Sequence, residues 1–441
     1  MRRISAIIVI LFLSSFINEA MAEETLTWED CVKEAKTKHP DLISAWEKVN
    51  QAKASREATR STYLPQISSS FSETTVGTQG KGGGSNQTSS ASGTQGGSGG
   101  SSSTQITTYQ YSVSGQQLLF DGFKTSYDLS SAERSITASR YNYDVTSSNI
   151  RLRLRTAFAD LLNAQELLNV TESIAGRRKQ NLELVKLRYE GGREHKGSLL
   201  TSEADMAGAE YEVEQARRNI YLSQRRLVKE LGRTTTNPLM AKGDFEVKYL
   251  ERERPDFEKL AQANPLLQQL IAQREAAKFG VHSATAQFFP QIFANGSATK
   301  SETTWPPDRN SWSVGTSVSF PIFEGGLRFA TLSKAKAAFA QALADERSGK
   351  DGVILTMADT WTKLQDAVEQ VAVQKKFLQA DTERAKIAEA EYSIGLLSFD
   401  NWIIIEDNLV STKKNYLNAQ TNALAAEANW VQARGGTLDY D

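Results

Sequence analysis

A tandem repeat is the sequence feature that most constrains the fold of this 441-residue chain. Residues 320–326 read FPIFEGG, and residues 118–123 read LLFDGF. In both copies, alternating residues typical of a β-strand lead into a glycine turn that opens a long helical pattern. The sequence therefore predicts two copies of one strand-to-helix unit.

Prolines, aromatic residues and glycines keep the two copies in register. Pro40 and Pro265 have the same separation as Pro65 and Pro290. Further along, five pairs share a second, shorter separation: Phe120 and Phe323, Phe158 and Trp361, Tyr189 and Tyr392, Gly192 and Gly395, and Glu203 and Glu406. The first copy must therefore hold extra residues between Pro65 and Phe120, where the low-complexity segment 77–104 lies.

The N-terminus has the features of a cleaved secretory signal, predicted over residues 1–22. Two arginines precede an apolar run at 4–17, and small residues follow at 20–22. The run is shorter than the roughly 20 residues that span a bilayer as a helix. The single cysteine, Cys31, lies well past this run, which argues against a lipoprotein and leaves no intrachain disulfide.

Long helices are predicted because all nine prolines lie between Pro40 and Pro321, and the remaining sequence is rich in strong helix formers. Helices at 122–190 and 326–393 would each measure about 100 Å, at about 1.5 Å per residue. The other predicted helices are 28–62 and 257–287, each broken near Pro40 or Pro265, together with 199–231 and 401–433. Glycine-containing breaks at 190–197 and 394–398 make each long helix and its return helix a hairpin.

Apolar residues in the long helices recur at steps of three and four. Met357, Trp361 and Leu364 follow this spacing, and Leu154 and Phe158 occupy matching places in the first copy. A period near 3.5 predicts left-handed coiled-coil packing.

Four strands are predicted, at about 66–76, 106–120, 291–300 and 312–322. Their lengths suit a tilted strand that crosses a bilayer, about 9–11 residues, and their alternation suits one face to lipid and one to water. Four strands are too few to close a barrel, and open edges are not tolerated in lipid. Several chains must therefore contribute, either two with eight strands or three with twelve.

The predicted organisation is mostly α with a small β part. Repeat one covers 23–232 and repeat two covers 257–434, with a C-terminal tail at 435–441. Segment 77–104, rich in Gly, Ser, Thr and Gln, is predicted to be a flexible extracellular loop. The connector at 233–256 is predicted to hold a short strand at Phe245, Val247 and Tyr249.

No catalytic or cofactor site is predicted, so the chain is interpreted as not being an enzyme. His39, His195 and His282 fall in separate elements without the spacing of a metal site, and they are interpreted as solvated helix positions. A formal net charge of −1 gives no indication of nucleic-acid binding.

The strand entries after Pro65 and Pro290, the strand exits at 118–123 and 320–326, and the paired Tyr-to-Gly turns together resemble the TolC family of outer-membrane efflux proteins. The resemblance implies a homotrimer whose twelve strands form one barrel in the outer membrane of a Gram-negative bacterium. A tube of helices would continue it through the periplasm. The implied partners are a periplasmic adaptor and an inner-membrane transporter, with outer-membrane lipid around the barrel.

The resemblance also implies that the hairpin tips close the periplasmic end of the tube. The family's tyrosine, three residues before the turn glycine, corresponds to Tyr392 and to Tyr189 in repeat one. Its basic residue and its two acids are not carried over, because Leu397, Asn401 and Ile404 stand at those positions.

Three carboxylates are therefore the candidate gate acids: Asp400, Glu406 and its repeat mate Glu203. Three copies of Asp400 around a narrow aperture would favour cations. The alternative is that Asp400 is only the N-cap of the returning helix. Gly122 and Gly325, with Pro65 and Pro290, are the predicted strand–helix hinges, and Gly326 is expected to matter less than Gly325 because repeat one has no glycine there.

The functional hypothesis is a passive exit duct of a tripartite efflux or type I secretion system. The alternative is an exported coiled-coil structural or adhesion protein without a channel. The cargo stays open, since drugs, metal ions and polypeptides can all use this architecture.

Overall fold

A computed structural model describes residues 24–79, 103–234, 238–245, 247 and 253–440. The predicted signal peptide and most of segment 77–104 lie outside these residues. The described chain is mostly helical with a small sheet part, which confirms the predicted fold class at this level. Within this part of the chain, no helix has both the length and the apolar character needed to span a bilayer.

The elements in chain order are β1 (Glu24–Leu26), α1 (Trp28–Lys38), α2 (Pro40–Arg60), β2 (Gln66–Gln79), β3 (Ser103–Phe120), α3 (Lys124–Glu190), α4 (Lys196–Leu231), β4 (Leu239–Ala241), α5 (Phe257–Gln262), α6 (Pro265–Ala286), β5 (Gln291–Glu302), β6 (Asn310–Ser319), α7 (Leu327–Ile394) and α8 (Phe399–Ala433).

The chain divides into two compact units. The first, termed the helical unit, comprises Met1–Gln51, Ile136–Gln273 and Leu343–Asp441. The second, termed the sheet unit, comprises Ala52–Ser135 and Arg274–Ala342.

The residue before each of two repeat-related prolines caps the helix that follows. The Nδ1 atom of His39 accepts a hydrogen bond from the Asp41 amide at 3.1 Å, and the Oδ1 atom of Asn264 accepts one from the Leu266 amide at 2.9 Å. Proline has no N–H, so it fits the first helical position, where that donor would lack a helical partner. In both repeats, the helix thus begins with a capping side chain followed by a proline.

Two apolar clusters in the helical unit lie at equivalent places in the repeats. Leu154 and Phe158 of α3 are buried in one, and Met357 and Trp361 of α7 are buried in the other. These are residues of the predicted three-and-four pattern. Side chains from α8 and the short α5 complete the second cluster, where Trp361 and Trp430 have ring centroids 5.2 Å apart.

The connector contributes a strand at a different place from the one predicted. Leu239–Ala241 pairs in parallel with Glu24–Leu26, whereas Phe245 and Val247 lie outside any strand and Tyr249 is outside the described residues. Leu239 is fully buried, and Phe245 packs beside the first apolar cluster. Packing against this cluster therefore explains the apolar character of Phe245 without a strand.

The sheet unit contains one antiparallel sheet with strand order β2–β3–β5–β6. The pairing of β3 with β5 joins the hairpins of the two repeats, and a bulge between Leu118 and Phe120 adjusts its register. Strand pairing includes 77–79 and 103–104, because β2 and β3 pair as far as Gln79 and Ser103. The predicted loop is shorter by those residues.

A left-handed turn links strand to long helix in both repeats. Gly122 has a φ of 69° and Gly325 has a φ of 60°. The next residues, Phe123 and Gly326, are also left-handed, at 67° and 86°. The prediction that Gly326 matters less than Gly325 is therefore wrong as far as backbone conformation is concerned, because both residues adopt the conformation that favours glycine.

We expect Gly122→Ala to destabilise the protein more than Gly325→Ala. Each change adds backbone strain of about 1–2 kcal/mol. At Gly122 a Cβ would also lie 2.5 Å from the Phe289 Cβ and 2.7 Å from the Ala286 carbonyl oxygen, whereas nothing lies within 4 Å of a Cβ at Gly325. Thermal unfolding followed by circular dichroism measures both variants, and equal midpoints would contradict the role of close packing at Gly122.

Candidate functional site

The turns of the two helical hairpins, termed the hairpin tips, lie together within the helical unit. The first tip is the segment 191–195 between α3 and α4, and the second is the segment 395–398 between α7 and α8. Gly192 and Gly395 turn the chain with φ values of 66° and 86°. Apolar residues from both hairpins pack beneath the tips, including Val185 of repeat one with Ala388 and Trp402 of repeat two.

Tyr392 is the centre of this packing. Its side chain is fully buried and stacks on Trp402, with ring centroids 4.2 Å apart and an interplanar angle of 11°. Phe399 packs edge-on against both rings. Repeat two therefore supplies an aromatic core that fixes the geometry of its own turn.

Repeat one supplies the polar partners of Tyr392. The Arg188 guanidinium lies 4.5 Å from the Tyr392 ring centroid and donates a hydrogen bond to the Tyr392 carbonyl oxygen at 2.6 Å. The Tyr392 hydroxyl donates to the Glu194 Oε2 atom at 2.9 Å. Burial, together with this hydrogen bond, raises the pKa of Tyr392, so the hydroxyl stays protonated and acts as a donor.

Glu194 is held as a carboxylate by several donors. Its Oε1 atom accepts from the Ser198 hydroxyl at 2.9 Å and from the His195 amide at 3.2 Å. Burial acts to raise the pKa of Glu194, but the hydrogen bonds from Ser198, Tyr392 and His195 outweigh it and lower the pKa. The Tyr392–Glu194 contact is therefore a charge-assisted bond between the first tip and the last turn of α7.

Farther from the tips, Glu406 forms a second link between the repeats. Its side chain is 1 % exposed, and it binds Arg177 of α3 through two hydrogen bonds, at 2.5 Å to Nε and 2.7 Å to Nη2. The Asn181 amide also donates to Glu406 at 3.3 Å, and Glu389 lies 3.3 Å from Arg177. A buried carboxylate thus ties α8 to α3.

The neighbouring arginine makes a parallel link. Arg178 donates to Asp407 of α8, and the Asp205 Oδ2 atom of α4 lies 3.8 Å from its Nη1 atom. Lys414 of α8 binds Glu212 of α4 at 2.7 Å. Successive charged contacts therefore run along α8 on the side that faces repeat one.

The structure buries two of the predicted gate residues and leaves the other three exposed. Tyr392 and Glu406 are buried in contacts between the hairpins, whereas their mates Tyr189 and Glu203 are exposed. Asp400 is also exposed, in the first turn of α8. The alternative role of Asp400 as the N-cap is wrong, because Ser398 occupies that position.

Sequence reasoning missed Arg188, Glu194, Trp402 and Arg177. Each acts through a partner in another helix, and the spacing within one helix does not reveal such a partner. One sequence signal was available. The family's basic residue and its two acids are missing after Gly395, so any polar partners of Tyr392 had to come from another part of the chain.

One histidine differs from its interpretation as a solvated residue. His39 is 5 % exposed, and its Nε2 atom lies 3.5 Å from the Glu230 carboxylate. It caps α2 and lies beside the C-terminal end of α4, which carries Glu230. Within the described residues, no cluster of His, Cys, Asp and Glu has the geometry to hold a metal ion.

Comparisons with known proteins agree with this architecture. The chain matches the family described as "Outer membrane efflux protein" over residues 31–233 and 257–436. It is 24 % identical over 282 residues to the outer membrane efflux protein BepC of Brucella suis biovar 1 (strain 1330), a match that covers 62 % of this chain and 60 % of that relative.

The solved structures with a similar fold include two outer membrane proteins. The outer membrane protein VceC of Vibrio cholerae gives a TM-score of 0.75 at 18 % identity, covering 93 % of this chain and 96 % of that one. The outer membrane channel MtrE of Neisseria gonorrhoeae, solved in an open state, gives a TM-score of 0.77 at 17 % identity, covering 94 % and 90 %.

We expect Glu406→Gln to lower the free energy of unfolding by about 1–3 kcal/mol, because an amide group would oppose the Arg177 donors in a buried position. The exposed repeat mate offers a matched control, and Glu203→Gln should stay within about 0.5 kcal/mol of the wild type. Denaturant titration of the detergent-solubilised protein measures both changes. Equal effects would show that the Arg177–Glu406 contact contributes little.

Proposed function

Because the chain belongs to the outer membrane efflux protein family, we propose that it is the outer-membrane exit duct of a tripartite efflux or type I secretion system. In this proposal three copies assemble in the outer membrane of a Gram-negative bacterium after removal of the signal peptide. They passively conduct cargo delivered by a periplasmic adaptor and an inner-membrane transporter.

The open four-stranded sheet is the observation that carries the proposal. In the described chain, β2 and β6 each pair on one side only. Exposed apolar side chains such as Ile67, Trp312 and Val314 cover one face of the sheet. Because lipid does not tolerate unpaired strand edges, β6 of one copy must pair with β2 of the next. Three copies give twelve strands, which begin to leave room for a channel.

The hairpin tips support the gating part of the proposal. Tyr392 and Glu194 come from different hairpins of one chain, so their bond holds the two tips together. In a tube of helices, tips held in this way would narrow the periplasmic end. The alternative, a structural coiled-coil protein without a channel, gives no reason for a sheet with open edges and an exposed apolar face.

We expect the protein to conduct ions in a planar bilayer, and Tyr392→Phe to raise the open probability. The variant keeps the aromatic stack but loses the hydrogen bond to Glu194. A bond to a charged group contributes about 1.5–3 kcal/mol, so the ratio of open to closed channels should rise about tenfold or more. Tyr189→Phe is the matched control, because Tyr189 is 37 % exposed and should tolerate the change.

Single-channel recording measures both variants beside the wild type. An absence of conductance in all three would count against the duct. Equal open probabilities in conducting channels would instead remove Tyr392 from the gate.

We expect Asp400→Ala to weaken cation selectivity and block by divalent ions at the periplasmic mouth. Three exposed carboxylates related by symmetry would favour cations there. The reversal potential under a salt gradient, and the current with and without added magnesium, measure the effect. If the reversal potential and the magnesium block were both unchanged, the role of Asp400 would be limited to its favourable interaction with the dipole of α8. An acidic residue in the first turn of a helix contributes about 0.3–1 kcal/mol in this way.

A further inference from the structure

The register of the sheet sorts the strand residues onto two chemically different faces. Ser68, Ser114, Ser297 and Ser313 are successive partners across all four strands, and they form a continuous serine row. The adjacent row on the opposite face contains Ser69, Val113, Ala298 and Trp312. In these rows, moving one residue along a strand thus exchanges the hydroxyl-rich side of the sheet, termed the hydroxyl face, for the more apolar side, termed the apolar face.

The middle of the hydroxyl face is polar without being charged, and apolar pairs stand at its two ends, Val76 with Ile106 and Leu118 with Phe293. Oxygen atoms of Ser68 and Ser114 are 2.9 Å apart, as are those of Ser297 and Ser313. The next row on this face, Ser70, Ser112, Thr299 and Ser311, again carries only hydroxyls. A paired hydroxyl still has free acceptor capacity, so water can bind along these rows.

The charged residues of the four strands all lie on the apolar face, near its loop end. They are Glu73 and Glu302, both opposite Tyr109, and Lys300, opposite Tyr111. Their neighbours are aromatic, and Trp305 packs against Phe71 and Tyr109. Charges beside such an aromatic group are typical of a membrane–water interface, and they leave the hydroxyl face without fixed charge.

We infer that the hydroxyl face lines the conducting path through the outer membrane and that this part of the path does not select cargo by charge. The inference rests on the proposed function. Around a closed barrel the rows wind along the inner wall. The side chains that select ions in channels are charged ones arranged around the path, and these rows have none. Cationic, anionic and neutral polar molecules should pass this section alike, within the limit of its width, so discrimination by charge is left to the helical end.

Cysteine accessibility tests the inference in the full-length protein. The only native cysteine, Cys31, is fully buried, and burial raises its pKa to about 12, so its background reaction should be slow. Ser297→Cys places a thiol in the serine row, and Ala298→Cys places one in the adjacent apolar row. Each variant, in a planar bilayer, is treated with a cationic and with an anionic methanethiosulfonate reagent, and the rates are normalised to those of a free thiol.

We expect Ser297→Cys to react with both reagents at normalised rates that agree within about tenfold, with a fall in conductance, and Ala298→Cys to be protected by lipid. A field from fixed charges would concentrate one reagent by about tenfold or more, and such a preference would overturn the inference. Protection of Ser297→Cys with reaction of Ala298→Cys would overturn the assignment of the faces.

A second pair keeps the test decisive if a variant fails to assemble. Ser114→Cys and Val113→Cys occupy the same two rows on β3. If the proposed duct function is itself wrong, the wild type will conduct no current, and the inference fails together with that proposal. A conducting wild type with charge-dependent labelling would overturn the inference alone.

Discussion

The pairing of β3 with β5 is the interaction on which the rest of the sheet depends. Each repeat contributes a single hairpin, and an isolated two-stranded hairpin is at best marginally stable in water. Antiparallel hydrogen bonds from Tyr109–Glu302 to Phe120–Ile292 join the hairpins into one sheet. The same pairing aligns the serine row across both repeats and leaves β2 and β6 as the two edges. A shift of one residue would place hydroxyl and apolar groups on the same face.

The duplicated hairpins complement each other at the tips. Repeat two provides the aromatic stack of Tyr392 and Trp402, whereas repeat one provides Arg188 and Glu194 as its polar partners. Tyr189, the repeat-one equivalent of Tyr392, is exposed, and so is Glu203, the equivalent of the buried Glu406. The two copies are thus alike in fold and different in chemistry, and each tip is completed by the other.

The sequence predicted those elements whose pattern is repeated over many residues. The long helices and the four strands follow from periodicity, and the helix breaks near Pro40 and Pro265 follow from the missing proline N–H. The pairing of β1 with β4 could not be predicted, because three residues are too few to show alternation. The burial of His39 and the contacts of Glu194 and Arg177 depend on which helices become neighbours, and local spacing does not encode that choice.

Phe123 shows what a strained turn can be used for. Repeat two makes the same left-handed turn with Gly326, which carries no penalty, whereas a phenylalanine at φ 67° stores about 1–2 kcal/mol of strain. Its ring is 64 % exposed and packs edge-on against Phe120. In a duct whose strands cross a bilayer, an aromatic ring at the end of a strand lies at headgroup depth, where such rings are favoured. Repeat two reaches the same depth without that strain, because Phe323, its counterpart of Phe120, is 87 % exposed, so each copy would be anchored against vertical displacement through both of its hairpins.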